Sequence, residues 1–309
     1  MSGAAADYCP FSKTYNLCVV IEPQDGLETH VYEKAGRMAG LKVATYLGEL
    51  VRNLEPDVIE TYETKPVFEQ AAQYPDLPKV GYIHMLQSQG LLHDTYYYGV
   101  DAKQIVPTFM YPTEIMDGAI VSGNCVAPCD KVTTYHHFHN PVIDECYKHH
   151  GKDINFMGVI LTNENVFLAD KERHSDMVAK FCEWLQLDGV LITEEGYGNP
   201  DTDLIMNTKK IEAEGVKTVI ITDEYAGRDG KSQSLADSDP AADAVVTGGN
   251  ANELIHLPKL DKVIGTLDYV NVIAGASDKT LQEDGSLEVE IQVMTGATNE
   301  TGFSVLSAR

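Results

Sequence analysis

The sequence predicts an α/β protein with three layers: a mostly parallel sheet, helices on both faces, and an antiparallel edge near the C-terminus. Two observations carry this. Short apolar runs of strand length alternate with stretches of helical periodicity, most regularly from residue 154 onward. Such alternation implies right-handed βαβ crossovers and a parallel sheet covered on both sides. The strands also end on a weak repeat: Leu161-Thr-Asn-Glu164, Ile192-Thr-Glu-Glu195, Ile221-Thr-Asp-Glu224 and Val246-Thr-Gly-Gly249. Its threonines stand at 162, 193, 222 and 247, steps of 31, 29 and 25 residues that each suit one βα unit.

Taken in order, Leu17 to Ile21 is a short apolar run that reads as a buried strand. Val31, Ala35, Met38, Ala39, Tyr46, Leu47, Leu50 and Val51 then recur at spacings near three and four, a helical stripe closed by Glu55-Pro-Asp57. Gly36 and Gly40 weaken that helix or admit a close backbone neighbour. Val80 to Leu86 reads as a strand after the Pro75 and Pro78 turns. Residues 87–140 are rich in Tyr, His, Gly and Pro without a sustained period, and a segment this long and irregular points to function. Strands follow at Phe156–Leu161, Gly189–Ile192, Lys217–Ile221 and Ala244–Val246, with helices over about 170–186 and 201–214. From Ser286 to Met294 the alternation of Leu287, Val289, Ile291 and Val293 predicts a half-buried strand after the Asp284-Gly285 turn.

The length of 309 residues fits two domains or one large α/β unit. Lys plus Arg is 23 and Asp plus Glu is 47, giving a formal charge of −24. That balance disfavours nucleic acid, which needs clustered cations, and it disfavours anionic membranes. No apolar run approaches the ~18 residues of a membrane span. The first ten residues carry no basic and apolar signal pattern, so the six cysteines read as free thiols of a reducing cytoplasm.

In a parallel sheet all carboxyl ends share one edge, where α/β proteins bind ligands. Glu164, Glu194, Glu195, Asp223 and Glu224 would converge there and suit a cationic ligand such as an amine; equally, the Thr and Asp of these strand ends are simply good helix caps and turn residues. The run Thr247 to Glu253 follows a strand and reads as opening a helix, where the N–H groups of Gly248, Gly249 and Asn250 could hold a carboxylate or simply make a turn. Arg228, between glycines, is a carboxylate clamp or an exposed turn residue. If extended, His137 and His139 share a face, and His149-His150 could add a metal ligand. No H-e-x-x-H or Cys-x-x-Cys pair accompanies them, and no metal ligand is assigned.

The most specific signal surrounds Gly123-Asn124-Cys125. Val121-Ser-Gly-Asn-Cys-Val-Ala-Pro-Cys-Asp-Lys-Val-Thr-Thr-Tyr-His-His137, followed by Asn140-Pro-Val-Ile143, closely resembles the pyruvoyl-forming proproteins of component B of the glycine, sarcosine and betaine reductases. The resemblance continues in Gln89–Thr95, Tyr98–Pro107, Gly158–Asn165, Glu195–Asp203, Thr222–Asp229 and Ala244–Asn252, so it covers essentially the whole chain. Members of that family carry a further segment before the residue numbered 1 here.

The resemblance implies self-cleavage between Asn124 and Cys125. The Cys125 thiol attacks the Asn124 carbonyl to make a thioester, elimination leaves dehydroalanine, and hydrolysis leaves a ketone, the pyruvoyl cofactor. The chain would divide into an N-terminal part, 1–124, and a pyruvoyl-capped part, 125–309. The ketone can condense with the amine of a small amino acid and prepare its C–N bond for reduction. The substrate-binding residues expected are Glu195, Asp223, Glu224, Arg228, Gly248, Gly249 and Asn250. Implied partners are a selenocysteine-containing component B subunit and the component A selenoprotein, in a cytoplasmic hetero-oligomer. The alternatives are an uncleaved, non-catalytic subunit of such a complex and an α/β metal hydrolase using the His cluster.

Overall fold

The computed structural model describes residues 3–90, 93–124, 131–296, 301 and 307–308. Its centre is a seven-stranded sheet. Four neighbouring pairs run parallel: β1 (Lys79–Leu86) lies between β6 (Asn155–Asn163) and β7 (Gly189–Thr193), and β8 (Lys217–Glu224) and β9 (Val245–Asn250) extend the sheet beyond β7. Both margins are antiparallel. β4 (Thr108–Met110) pairs with β6, and β12 (Ser307–Ala308) pairs with β9. A small antiparallel sheet holds β2 (Thr95–Tyr97), β3 (Val100–Asp101) and β5 (Ile120–Ser122). β10 (Leu254–Leu257) and β11 (Leu287–Glu290) form a separate antiparallel pair. The predicted C-terminal strand is therefore β11, shorter than the alternation suggested and paired outside the main sheet; its last part turns into α8 (Gln292–Thr295).

Strict two-sided burial explains why the central strands read as apolar runs. Along β1, Ile83 and Met85 face one layer and Tyr82 and Leu86 the other. The first layer holds α6 (Leu168–Leu185) and α7 (Asn199–Ala213), which insert Val178, Cys182, Leu204 and Ile211. The second holds α3 (Pro112–Met116) and α5 (Pro141–His149), with Ile115, Ile143 and Cys146. α2 (Val67–Gln73) edges the first layer through Val67 and Ala71. The three-layer, mostly parallel architecture is as the sequence predicts.

Two expectations are corrected. Leu17 to Ile21 forms no strand and is exposed, because among the described residues no neighbouring strand or sheet face receives it. Residues 245–250 continue as β9 and lead through a turn to β10, so no helix opens there. The stripe from Val31 is helical, as α1 (Thr29–Val51), but its apolar side chains are largely exposed, and no atom would come within 4 Å of a Cβ at Gly36 or Gly40. Among the described residues no helix is long and apolar enough to cross a membrane.

Candidate functional site

The carboxyl ends of β6, β7, β8 and β9 align as the repeat requires. Thr162 pairs in register with Met85 and Thr193 with His84 on β1, and Thr222 pairs with Thr247. Glu164, Glu194, Glu195, Asp223 and Glu224 follow, all buried. They serve the backbone as much as any ligand. Glu195 Oε2 accepts from the Gln87 N–H at 2.6 Å, and its Oε1 accepts from the Val132 N–H at 2.8 Å. Glu164 Oε1 accepts from the Glu195 N–H at 3.0 Å. Behind Glu164 a buried ion pair joins Lys171 to Asp203. Burial pushes Glu164 and Glu194 well above the usual carboxylate range, helped by neighbouring carboxylates. Glu195 rises to about 7, because burial outweighs the opposing pull of Lys131 and the two N–H donors.

A line of polar side chains runs from the sheet to this edge. Asn140 caps α5 by accepting from the N–H groups of Val142 and Ile143, and its amide donates to the Tyr82 hydroxyl at 3.2 Å. The hydroxyl lies 2.6 Å from Thr193 Oγ1 and 2.9 Å from His84 Nδ1. His84 Nε2 lies 3.0 Å from His137 Nδ1, and His137 Nε2 stands 3.6 Å from Glu195 Oε1. Burial lowers His84 to about 3 and His137 well below the usual imidazole value, which favours the neutral form of both rings. This corrects the extended reading of the His run. Residues 134–138 form α4 (Thr134–Phe138), which buries His136 and His137 and leaves His139 outside. His149 pairs with Asp153, and His150 receives the Phe156 N–H, so neither joins His137.

The far end of this cluster holds the chain around residue 124. The Lys131 ammonium donates to the Gly123 carbonyl at 2.5 Å. The described residues on either side of 125–130 are thus held: Gly123 by Lys131, and Val132 by Glu195 just beyond the end of β7. Gly123 also packs directly under α1. A Cβ there would lie 1.6 Å from Glu33 Oε1, so only glycine fits. Both polar atoms of the Asn124 carboxamide are buried and have no hydrogen-bond partner among the described residues. Cys125 and Cys129 lie outside the described residues.

Of the remaining expected residues, Gly248, Gly249 and Asn250 line one cleft of about 1050 Å³, together with Tyr8, Lys13 and His136. Asn250 braces it from behind: its Oδ1 accepts from the Ala226 N–H and its amide donates to the Gly227 carbonyl. Glu224 accepts from the Ser234 hydroxyl. The Arg228 guanidinium sits 2.7 Å from Glu290 on β11, already paired with a carboxylate of its own chain. The residues that sequence reasoning missed are Tyr82, His84 and Lys131. Tyr82 and His84 left one signal, two polar side chains alternating on a strand otherwise apolar.

A family model described as glycine/sarcosine/betaine reductase component B subunits matches residues 1–309. The chain is 65% identical over 309 residues to the sarcosine reductase complex component B subunit alpha of Peptoclostridium acidaminophilum, covering all of this chain and 72% of that protein. It is 64% identical, with the same coverage, to the glycine reductase complex component B subunits alpha and beta of the same organism. Identity to that organism's betaine reductase complex component B subunit alpha is 38% over 317 residues, covering 98% of this chain and 72% of that protein. No solved structure matches. With a match over its whole length and close relatives on two of the three branches, the chain belongs to the glycine/sarcosine/betaine reductase component B family.

Proposed function

We propose that this chain is the self-processing, substrate-binding part of a glycine- or sarcosine-type reductase complex, cut between Asn124 and Cys125. The observation that carries this reading is the pair of anchors on either side of residues 125–130, Gly123 to Lys131 and Val132 to Glu195, the second just beyond the carboxyl end of β7. Such anchoring holds Asn124 close to the cluster at the sheet edge, where positioning of a reacting group lowers the cost of reaction. The Cys125 thiol attacks the Asn124 carbonyl, and the amide becomes a thioester. Elimination then breaks the Cβ–S bond, leaves the sulfur on the Asn124 acyl group as a thiocarboxylate and residue 125 as dehydroalanine; its imine tautomer takes up one water and releases ammonia to give the ketone. The buried, unpartnered Asn124 carboxamide is suited to hydrogen-bond a developing charge there.

A ketone heading residue 125 would supply an electrophile for a substrate amine, which no ordinary side chain offers. The cleft beside Gly248, Gly249 and Asn250 is the substrate entrance in this reading, with Lys13 available to a carboxylate. Glu224, next to the buried Asp223, pairs in register with Asn250 of the cleft, and Arg228 is bonded to Glu290, the residue before Ile291 in the cleft lining. Identities of 65% and 64% to the sarcosine and glycine proteins, against 38% to the betaine protein, favour the first two substrates. One relative is named as subunits alpha and beta together, which agrees with one chain giving two pieces. Those pieces would stay together, because β1 from the first lies between β6 and β7 from the second. A selenocysteine-containing component B subunit and the component A selenoprotein would supply the reducing nucleophile, in a cytoplasmic hetero-oligomer.

Denaturing mass spectrometry of the purified chain, with hydrazine labelling, tests this. The expected products are fragments 1–124 and 125–309, the second carrying a hydrazine-reactive ketone. Lys131→Gln should slow their appearance while leaving the circular dichroism unchanged. An intact chain that takes no label, after assembly with its partners, would overturn the reading.

A further inference from the structure

We propose that His30, His93 and Asp94 bind one divalent transition-metal ion of zinc-like chemistry, clamping α1 to the segment that leads into β2. His30 lies in the first turn of α1, and His93 and Asp94 immediately precede β2. One potential ligand atom from each lies within 4.8 Å of the other two. His30 Nδ1 is 2.9 Å from Asp94 Oδ2, and His30 Nε2 is 3.1 Å from His93 Nε2. The two rings are tilted by 38° with centroids 4.1 Å apart. Asp94 is 1% exposed, and its Oδ1 has no hydrogen-bond partner among the described residues.

Placing the hydrogens leads to the ion. The Asp94 carboxylate accepts, so His30 carries its hydrogen on Nδ1 and presents a bare Nε2. If His93 carries its hydrogen on Nε2, it can donate to His30. Its buried Nδ1 lone pair then faces Asp94 Oδ1 at 4.0 Å and Asp101 Oδ2 at 3.8 Å. If the hydrogen is on Nδ1, two bare Nε2 atoms face each other at 3.1 Å. Either neutral tautomer of His93 sets lone pairs against lone pairs beside the buried Asp94 carboxylate. A cation removes the conflict by accepting a nitrogen from each ring and an oxygen from Asp94.

Two imidazoles and a carboxylate are a donor set for zinc and similar borderline divalent ions. The donors of a tetrahedral zinc ion stand about 3.4 Å apart. The two Nε2 atoms are already near that separation, and rotation of the side chains closes the wider pairs. Asp101 is placed to orient the His93 ring, as carboxylates beside metal-bound imidazoles do. The site has a structural consequence. Glu33 is the one buried residue of α1, so that helix is held by few contacts. The Asp94 carbonyl accepts from the Gly123 N–H at 2.6 Å. A metal clamp at Asp94 would therefore hold α1 against the strand that enters Asn124.

The inference does not depend on the proposed reaction and is tested apart from it. The full chain, treated with chelator and desalted, is titrated with Co²⁺, followed by its visible absorption, and with Zn²⁺, followed by calorimetry. One equivalent should bind with micromolar or tighter affinity. His30→Gln and His93→Gln should each weaken binding about tenfold or more without changing the circular dichroism. His139→Gln and Cys129→Ser should leave it unaltered. Absence of saturable binding would overturn the proposal, as would binding that survives the double His30→Gln, His93→Gln variant or is lost with His139 or Cys129.

Discussion

α7 and α1 are both amphipathic in sequence, yet they are held by different physics. α7 places Leu204, Ile205 and Ile211 in the core between itself, α6 and the sheet. α1 is longer, at 23 residues, but buries only Glu33, while Val31, Met38, Tyr46 and Leu50 are each half exposed or more. Its contacts to the rest of the chain here are polar: His30 to Asp94, and Arg37, steadied within the helix by Glu33 at 2.8 Å, over the Tyr96 ring at 4.0 Å. An apolar stripe of helical period therefore establishes a helix but not what covers it. α7 secures the fold. α1 is positioned by charge and hydrogen bonding, and it sits directly on Gly123 beside the candidate cleavage bond.

Three substitutions can break or sharpen this contrast. Leu204→Ala should cost about 2–5 kcal/mol, because it opens a cavity in a fully buried layer. Urea unfolding measures it, and a cost below about 1 kcal/mol would show that α7 is not a core helix.

Next in size is the pH dependence carried by Glu195. Its folded value of about 7 lies above the ordinary 4.5, so the folded chain holds the proton more tightly than the unfolded one. That contribution is complete below about 4.5 and is lost as pH rises through about 7. The stability of the parent protein relative to Glu195→Gln should therefore fall between pH 4.5 and 8, by up to roughly 3 kcal/mol. A difference that is flat with pH, or that rises, would contradict a carboxyl dominated by burial. Smallest is Leu50→Ala on α1, expected within about 0.5 kcal/mol. A cost matching Leu204→Ala would mean that the α1 stripe is covered in the chain itself, and the contrast would fail.

The same physics decides what the sequence disclosed. β1 and β6 to β9 were legible because a strand buried on both faces must be apolar throughout, and the intervening helices carry their own period. Leu17 to Ile21 misled because an apolar run alone does not say whether a neighbouring strand exists to receive it. Thr247 to Glu253 misled because its glycines suggested a turn into a helix, whereas Asn250 stitches the strand to the Ala226–Gly227 loop by side-chain bonds. The aligned strand ends were readable as a repeat. The Tyr82–His84–His137 line was not, since it is closed by Tyr82 to Thr193 and His84 to His137, residues far apart in the chain, a placement that local pattern does not encode. The Lys131 anchor reaches only to nearby Gly123, but it lies in a stretch without a sustained period, where spacing pairs no residues.

The central claim is that Cys125 cuts the chain at its own amide, and denaturing mass spectrometry of Cys125→Ala beside Cys129→Ala tests it most directly. Cys125→Ala should remain a single uncut chain, because no nucleophile is left next to the Asn124 carbonyl. Cys129→Ala should cleave as the parent does. Cys125→Ser should cleave slowly or in part, since a hydroxyl ionises far less readily than a thiol with its ordinary pKa of ~8.5. Normal cleavage in Cys125→Ala, or cleavage blocked only in Cys129→Ala, would contradict the account.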